Sequence, residues 1–275
     1  MSEPRDKMED GPAGNLPPGI RRTALLWLYK TSGGSISRAI TIVLMPLLLL
    51  GSVVFAGVVW VVQPTPVAAE PLVITLARSD KLEADVRTLV EDFGPRHAGD
   101  AAALDATSQW IYERFVSLGL EAGYQDYRVD GRRARNVMAR LGPEHGELVI
   151  VGAHYDAHKG TPGADDNASG VAGLLELARL LAWRPPSVPV HLVAYTHEEP
   201  PYFRTDSMGS AVHAAALTES ETVVRLMISL EMIGYFSDEP HSQEYPVGML
   251  RAVYPSRGDF IAVVGNITQG GWFGA

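Results

Sequence analysis

The stretch LVIVGAHYDAHKGTPGADDNASGVAGLLELARLLAW, residues 148–183, decides the fold. Its first part, residues 148–153, is an apolar run without polar alternation, which is typical of a strand covered on both faces. Its last part, residues 168–183, carries apolar side chains at helical spacing and predicts a helix. The loop between them holds two histidines and three aspartates. Such a loop at the carboxyl end of a strand indicates a ligand site, because α/β sheets bind ligands at that edge.

The same kinds of element continue on both sides of this stretch. Apolar runs downstream predict two more buried strands, and alternating patterns upstream predict a hairpin that turns at Asp130 and Gly131. We predict helices at 80–93, 101–118 and 210–217 and strands at 124–129, 136–141, 190–195 and 226–230. The order of these elements predicts an α/β fold, with helices on both faces of a mixed, mainly parallel central sheet.

Composition excludes several classes of protein. The chain has 275 residues and no cysteine, so disulfide scaffolds, thiolate metal ligands and a cysteine nucleophile are excluded. Its formal net charge of -9 argues against general nucleic-acid binding, which needs a basic surface. We therefore expect no nucleic-acid partner.

An uncharged apolar run covers residues 39–63, which is long enough for a helix that crosses a bilayer. Basic residues lie on its amino-terminal side, and no acidic residue stands among them. The positive-inside rule then predicts a cytoplasmic amino terminus and a periplasmic or extracellular domain after the run. The basic residues are Arg21, Arg22, Lys30 and Arg38.

This run divides the chain into four predicted parts. Residues 1–38 form a disordered cytoplasmic tail, residues 39–63 a transmembrane signal anchor, residues 64–71 a linker and residues 72–275 the exported domain. The alternative is a cleaved signal peptide, for which Val67-Ala68-Ala69 would suit the peptidase. The long segment before the run favours the anchor.

Acidic clusters follow three of the predicted buried strands. The first contains His154 and Asp156, the second Glu198 and Glu199, and the third Glu231. If the strands run parallel, all three clusters meet at one edge, where carboxylates repel one another unless a cation neutralises them. Histidine and carboxylate ligands fit Zn²⁺. Asp165 or Asp166 could bridge two such ions, and a carboxylate beside a metal-activated water is a suitable general base.

Four motifs carry a resemblance to a known family. The chain resembles the co-catalytic zinc exopeptidases of the bacterial leucine aminopeptidase type, a superfamily that includes glutamate carboxypeptidases and glutaminyl cyclases. The resemblance covers roughly residues 80–266. The motifs are HYD at 154–156, GADDNASG at 163–170, EE at 198–199 and SLEMIG at 229–234.

The resemblance implies a role for each residue in the candidate site. It makes His154 and Glu231 ligands of one zinc and Glu199 a ligand of the second. It makes Asp165 the bridge between both zincs and joins Asp165 to Asp166 by a strained peptide bond, for which the cis form is one option. Glu198 is then the general base, and Asp156 orients His154. The implied activity is hydrolysis of amino-terminal residues from a peptide substrate.

One feature of the family pattern is missing. The second zinc needs a histidine late in the domain, and the one histidine after Glu231, His241, has a different context. We therefore expect a zinc peptidase domain that is incomplete at its carboxyl terminus and holds one zinc tightly. Two alternatives remain: a catalytically inactive metal-binding or interaction domain, and a glutaminyl cyclase-like enzyme. The sequence does not determine the oligomeric state.

Overall fold

The structure, a computed structural model, describes residues 35–61, 77–245, 248–252 and 254–265. The first range is one helix, α1 (Ser35–Val61), which belongs to a separate compact unit from residues 77–265. Within the described ranges, no helix has both the length and the apolar character needed to cross a membrane. This finding does not support the predicted transmembrane helix at 39–63. The predicted linker, and most of the predicted tail, lie outside the described residues.

The second unit is built on a five-stranded mixed sheet. Its strands are β1 (Glu121–Val129), β2 (Arg132–Leu141), β3 (Leu148–His154), β4 (Val190–Tyr195) and β5 (Val224–Ser229), in the spatial order β1-β2-β4-β3-β5. The β3 strand lies between β4 and β5 and runs parallel to both. The β1–β2 and β2–β4 pairs are antiparallel. The mixed α/β fold is thus confirmed, and half of its strand pairings are parallel.

Four helices accompany the sheet. They are α2 (Ser79–Arg87), α3 (Ala101–Ser117), α4 (Gly170–Trp183) and α5 (Gly209–Glu219), with a π-helical turn at Thr88–Asp92 after α2 and another at Ala164–Ser169 before α4. A short 3-10 helix, Gly248–Ala252, follows the last strand. The predicted elements are therefore present, with ends that differ by up to about six residues, most at the end of α2, where the winding changes.

The two faces of the sheet bury different helices, because side chains alternate along a strand. On one face, Val151 of β3 and Leu192 of β4 pack in the larger core with Phe115 of α3 and Leu174 of α4. On the other face, a smaller cluster contains Ile150 and Val193, and Leu217 of α5 packs against it. Helices thus lie on both faces, as predicted.

The edge strand β5 is covered much less than its neighbours. All residues of β3 except Val149 are buried, whereas β5 has no buried residue. Val224, Met227 and Ile228 are each about two-fifths exposed, at 39%, 38% and 41%. The parallel arrangement still brings the carboxyl ends of β3, β4 and β5 to one edge of the sheet, where the loops after them carry the predicted acids.

Candidate metal centre

The imidazole of His154 is the centre of the site. It stands on the last residue of β3 and is buried, because the ends of β4 and β5 flank it in the parallel sheet. Its Nδ1 lies 3.0 Å from the backbone carbonyl oxygen of Asp156 and 3.5 Å from the carboxylate Oδ1 of the same residue. This contact fixes the ring, so that Nε2 faces the carboxyl edge.

Three carboxylates converge on the Nε2 atom of His154. The nearest oxygens of Asp166, Glu231 and Glu198 lie 3.1, 3.4 and 3.8 Å from it. One potential ligand atom from each of His154, Asp166 and Glu231 lies within 4.8 Å of the other two. A single proton on Nε2 cannot satisfy three acids, and a divalent cation can.

These charges also move the pKa of His154. Burial lowers it, but the hydrogen-bond contacts with Asp156, Asp166 and Glu231 outweigh burial and raise the pKa to about 12. The site therefore has a strong preference for positive charge at this position. A metal ion supplies such a charge, and the imidazole then binds it in the neutral form.

Glu198 lies beside this group, and its surroundings favour the neutral form of its carboxyl group. Burial, and then the negative charges of Asp156, Glu231 and Glu199, raise its pKa to about 7, although His154 opposes the shift. A carboxylate with a pKa near neutrality can take up and release a proton at the pH of most enzymes. The geometry thus gives Glu198 the property of a general base, which the sequence assigned to it only by resemblance.

Asp156 has a second role that the sequence did not reveal. Its carboxylate is fully buried and accepts two backbone hydrogen bonds, from the N–H of Glu198 at 3.1 Å and from that of Glu199 at 3.0 Å. One carboxylate therefore fixes the turn after β4 as well as lying against His154. The spacing of the HYD motif indicated only the contact with His154.

The two aspartates before α4 have different contacts. Asp166 faces His154, whereas Asp165 Oδ1 accepts a hydrogen bond of 2.8 Å from the N–H of Gly234. The cis peptide bond lies between Asp166 and Asn167, one residue later than the resemblance implied. The structure thus brings Asp166, rather than Asp165, together with His154 and Glu231.

Neighbouring residues of the same loop hold the segment after β5. The buried Asn167 donates to the carbonyl oxygen of Leu230 at 2.9 Å and to Glu231 Oε2 at 3.2 Å. Ser169 Oγ accepts a 3.0 Å hydrogen bond from the N–H of Ile233. The motif GADDNASG therefore places Asp166 in the site and its neighbours on the backbone that carries Glu231.

Glu199 lies outside the group of three converging ligand atoms. Its Oε1 is buried without a hydrogen-bond partner, and the buried Oδ1 of Asp166 faces the Nε2 atom of His154 at 3.1 Å. Burial first, and then the charge of Asp166, raises the pKa of Glu199. A buried carboxylate oxygen without a donor fits a site that takes a cation, and these two carboxylates with one imidazole form a donor set of the zinc type.

The other histidines lie apart from this group. In the part of the chain that the structure describes, neither His213 nor His241 belongs to the converging set. These are the two histidines that could take the place of the histidine expected late in the domain. His213 is buried in α5, with its Nδ1 2.8 Å from the hydroxyl of Tyr195. His241 and His158 are exposed, so the described residues supply one imidazole to the group.

Comparison with known proteins gives a family match for part of the chain. Residues 136–253 match the model of Peptidase family M28. Uncharacterized protein YfbL of Escherichia coli is 51% identical over 199 residues, which are 70% of this chain and 61% of that protein. Aminopeptidase YwaD of Bacillus subtilis is 34% identical over 92 residues, 33% of this chain and 19% of that protein.

A solved structure shows the same relationship. Porphyromonas gingivalis glutaminyl cyclase superposes with a TM-score of 0.53 at 26% identity, over 61% of this chain and 63% of that chain. The chain spans less than two thirds of each of these three proteins. The family model and these relatives confirm the resemblance that the four motifs carried. Residues 136–253 therefore match peptidase family M28, in agreement with the resemblance that the four motifs carry.

Proposed function

We propose that the domain is a zinc-dependent aminopeptidase, which removes amino-terminal residues from peptides. The observation that carries the proposal is the position of Glu198, a carboxylate of pKa about 7, at 3.8 Å from the Nε2 atom of His154. Zinc bound in such a site lowers the pKa of water and polarises a carbonyl oxygen. The relative YwaD, named an aminopeptidase, supports this choice.

The residues of the chain have separate tasks in this proposal. His154, Asp166 and Glu231 hold the first zinc, and Asp166 with Glu199 offers oxygens to a second. Asp156 keeps the His154 ring and the Glu198–Glu199 turn in place through its contacts with both. Glu198 accepts the proton of the attacking water and delivers it to the departing amine.

The ligand assignment differs in one place from that implied by resemblance. We assign the bridging position to Asp166 because its Oδ1 is buried and faces His154 Nε2 at 3.1 Å. Asp165 is already engaged with Gly234 and Ser169. Asp166→Asn should lower zinc affinity by more than Asp165→Asn, as measured by competition with a chromophoric chelator. Equal losses would contradict the assignment.

A direct assay tests the function. The full chain, purified in mild detergent and loaded with zinc, should release the amino-terminal residue from aminoacyl amides or short peptides. Removal of zinc with a chelator should abolish the release, and added zinc should restore it. A chain that binds zinc tightly but hydrolyses none of a panel of such substrates contradicts the peptidase function and favours an inactive metal-binding domain.

Glutaminyl cyclisation is a second candidate, supported by the likeness to the P. gingivalis glutaminyl cyclase. The two reactions leave different products. An aminopeptidase releases a free amino acid and shortens the peptide by one residue. A cyclase releases ammonia and leaves a pyroglutamyl peptide with the same number of residues. Mass spectrometry of a peptide with amino-terminal glutamine therefore separates the two activities in one experiment.

We also propose that the amino-terminal region anchors the domain at a membrane, with the domain on the periplasmic or extracellular side. The uncharged run at 39–63 and the basic residues before it support this proposal. Fusions of a reporter at positions 30 and 80 test it. Activity at position 80 of a reporter that functions only in the cytoplasm would contradict the proposed orientation.

A further inference from the structure

Arg96 is a fully buried arginine that hydrogen-bonds backbone oxygen. It lies between α2 and α3, and its exposed fraction is 0%. Its guanidinium donates to the carbonyl oxygens of Tyr155 at 3.0 Å and Gly163 at 2.9 Å, and also to that of Leu89. Burial lowers its pKa to about 10, and the charge of Asp156 opposes that shift. Burial of a charged guanidinium costs desolvation free energy, which neutral carbonyl acceptors offset only in part. Stability of the core is therefore a weak explanation for a buried arginine at this position.

Two of the three acceptors of Arg96 lie in the loop between β3 and α4, residues 155–169, which we call the metal-binding loop. Tyr155 stands between His154 and Asp156, and Gly163 stands just before the turn that carries Asp166. The backbone of Arg96 adds a further link, because its carbonyl oxygen accepts a 2.9 Å hydrogen bond from Ala157. One side chain thus spans residues that are distant in sequence and joins the end of β3 to the start of the π-helical turn.

The packing around Gly163 shows how close this contact is. Gly163 has φ of 62°, and a Cβ atom placed on it would come within 2.8 Å of Arg96 Nη2 and 2.5 Å of Ala157 Cβ. The same Cβ would also lie 2.9 Å from the backbone oxygen of Asp166, so a residue with a side chain would disturb the loop itself as well as the guanidinium. The backbone of the loop is shaped to receive the arginine.

We propose that Arg96 is a positioning residue, which sets the distance between the His154 and Asp166 parts of the metal centre. This inference rests on the proposed zinc site. A metal site binds tightly only when its donors are held in place before the ion arrives. The planar guanidinium is suited to this task, because it directs several N–H groups at fixed angles, whereas a lysine ammonium is a single point charge on a flexible stem.

Zinc affinity tests the inference without reference to catalysis. Arg96→Met should lower the zinc affinity of the full chain about 10- to 100-fold, the usual effect of losing a partner that orients a ligand. Arg96→Lys keeps the charge and loses the planar guanidinium with its several N–H groups, so its zinc affinity should lie between those of Arg96→Met and the unaltered chain. Competition with a chromophoric chelator gives the affinities, and the absorption spectrum of the cobalt-loaded protein reports the geometry of the donors.

Arg114→Met is the matched control. Arg114 pairs with the buried Asp85 through two hydrogen bonds of 2.5 and 2.9 Å between α3 and α2, so the two side chains bind each other and not the metal-binding loop. Its loss should destabilise the fold in urea and leave the zinc affinity of the folded protein unchanged. A fall in zinc affinity equal to that of Arg96→Met would make the effect a general loss of stability and overturn the inference.

The remaining outcomes are also decisive. If Arg96→Met binds zinc as tightly as the unaltered chain, the inference is overturned. If Arg96→Met does not fold, the same result in Arg96→Lys overturns it. If Arg96→Lys does not fold either, the comparison is made with Arg96→Gln, whose unaltered zinc affinity would overturn the inference. An unaltered chain that binds no zinc contradicts the proposed function itself, and the inference falls with it.

Discussion

Strands β4 and β5 flank β3 on opposite sides, run parallel to it, and each leads to an acid of the metal centre. Yet β4 is buried, with Leu192 fully inaccessible, whereas β5 is exposed along most of its length. The acids reflect this difference. Glu199 is buried and Glu198 is partly buried, while Glu231 is 46% exposed at its side chain.

The comparison teaches that one site can be supported in two different ways. On the β4 side, the buried carboxylate of Asp156 holds the backbone of both glutamates. On the β5 side, Asn167 and Ser169 of the metal-binding loop hold the segment that carries Glu231. The β4 side is thus held by one buried carboxylate directly after β3, and the β5 side by two side chains of the turn before α4.

The largest expected effect is on catalysis from the β4 side. Glu198→Gln should retain zinc and lose turnover by about 10²- to 10⁴-fold, because it removes a base and no ligand. Glu231→Gln on the β5 side should instead lose zinc. Parallel measurements of zinc content and peptide hydrolysis distinguish the two. If Glu198→Gln loses zinc as readily as His154→Ala, the roles of the two glutamates are wrongly assigned.

The second prediction compares the stability of the two strands. Leu192→Ala on β4 removes a fully buried side chain and should lower the free energy of unfolding by about 2–5 kcal/mol. Ile228→Ala on β5, where the side chain is 41% exposed, should cost less than about 1.5 kcal/mol. Urea unfolding of the two variants measures both. Equal losses would mean that β5 is covered in solution.

The third prediction concerns protection of β5 by zinc. The β5 strand pairs only with β3 among the described strands, so its amides should exchange with solvent faster than those of β4. Zinc at about 100 times its dissociation constant stabilises the bound state by about 2.7 kcal/mol. Hydrogen exchange should therefore slow most at residues 226–231, which end in the ligand Glu231. A larger change in β4 would contradict this asymmetry.

The smallest expected effect lies on the other face of the sheet, where α5 packs. A groove of about 400 Å³ runs between α5 and strands β3 and β5, and His213 lines it. Burial, and then the charge of His191, lowers the pKa of His213 to about 4 from an ordinary value of 6.5. Its contribution to stability is therefore present above pH 6.5 and is lost as the pH falls towards 4.

His213→Gln should flatten this dependence. Glutamine keeps an acceptor for the hydroxyl of Tyr195 and does not titrate. The loss of stability between pH 6.5 and 4 should shrink by roughly 1–2 kcal/mol, with allowance for water that reaches the groove. Thermal unfolding across this range measures it, and His145→Gln at an exposed position is the matched control. An unchanged pH profile in His213→Gln would show that His213 is not the titrating group.

Local patterns predicted the elements well because hydrophobic periodicity is a local property. The strand at Val190–Tyr195 begins and ends where the sequence placed it, and the helix before it is shorter by two residues at its start. The same reasoning did not predict the exposure of β5. Its apolar run is like that of β4, and a run of apolar residues does not say which layer covers it.

The sequence predicted which residue types meet at the site, but it did not predict which atoms face one another. Residue type and spacing brought His154, Glu198 and Glu231 to one edge, which the parallel strands produce. They could not choose between Asp165 and Asp166, because adjacent residues in a turn differ only by backbone direction. Nor did they indicate Arg96, whose acceptors are carbonyl oxygens and therefore leave no trace in residue type.

By itself, the sequence determined the class of fold, the order of the strands along the chain and the resemblance to zinc exopeptidases, since these follow from hydrophobic periodicity and from four ordered motifs. The tertiary structure decided which aspartate faces His154, how Asp156 and Arg96 support the loops, and which strand is left exposed. These features depend on contacts between residues that are distant along the chain. Their geometry is fixed only when β3, β4 and β5 lie side by side.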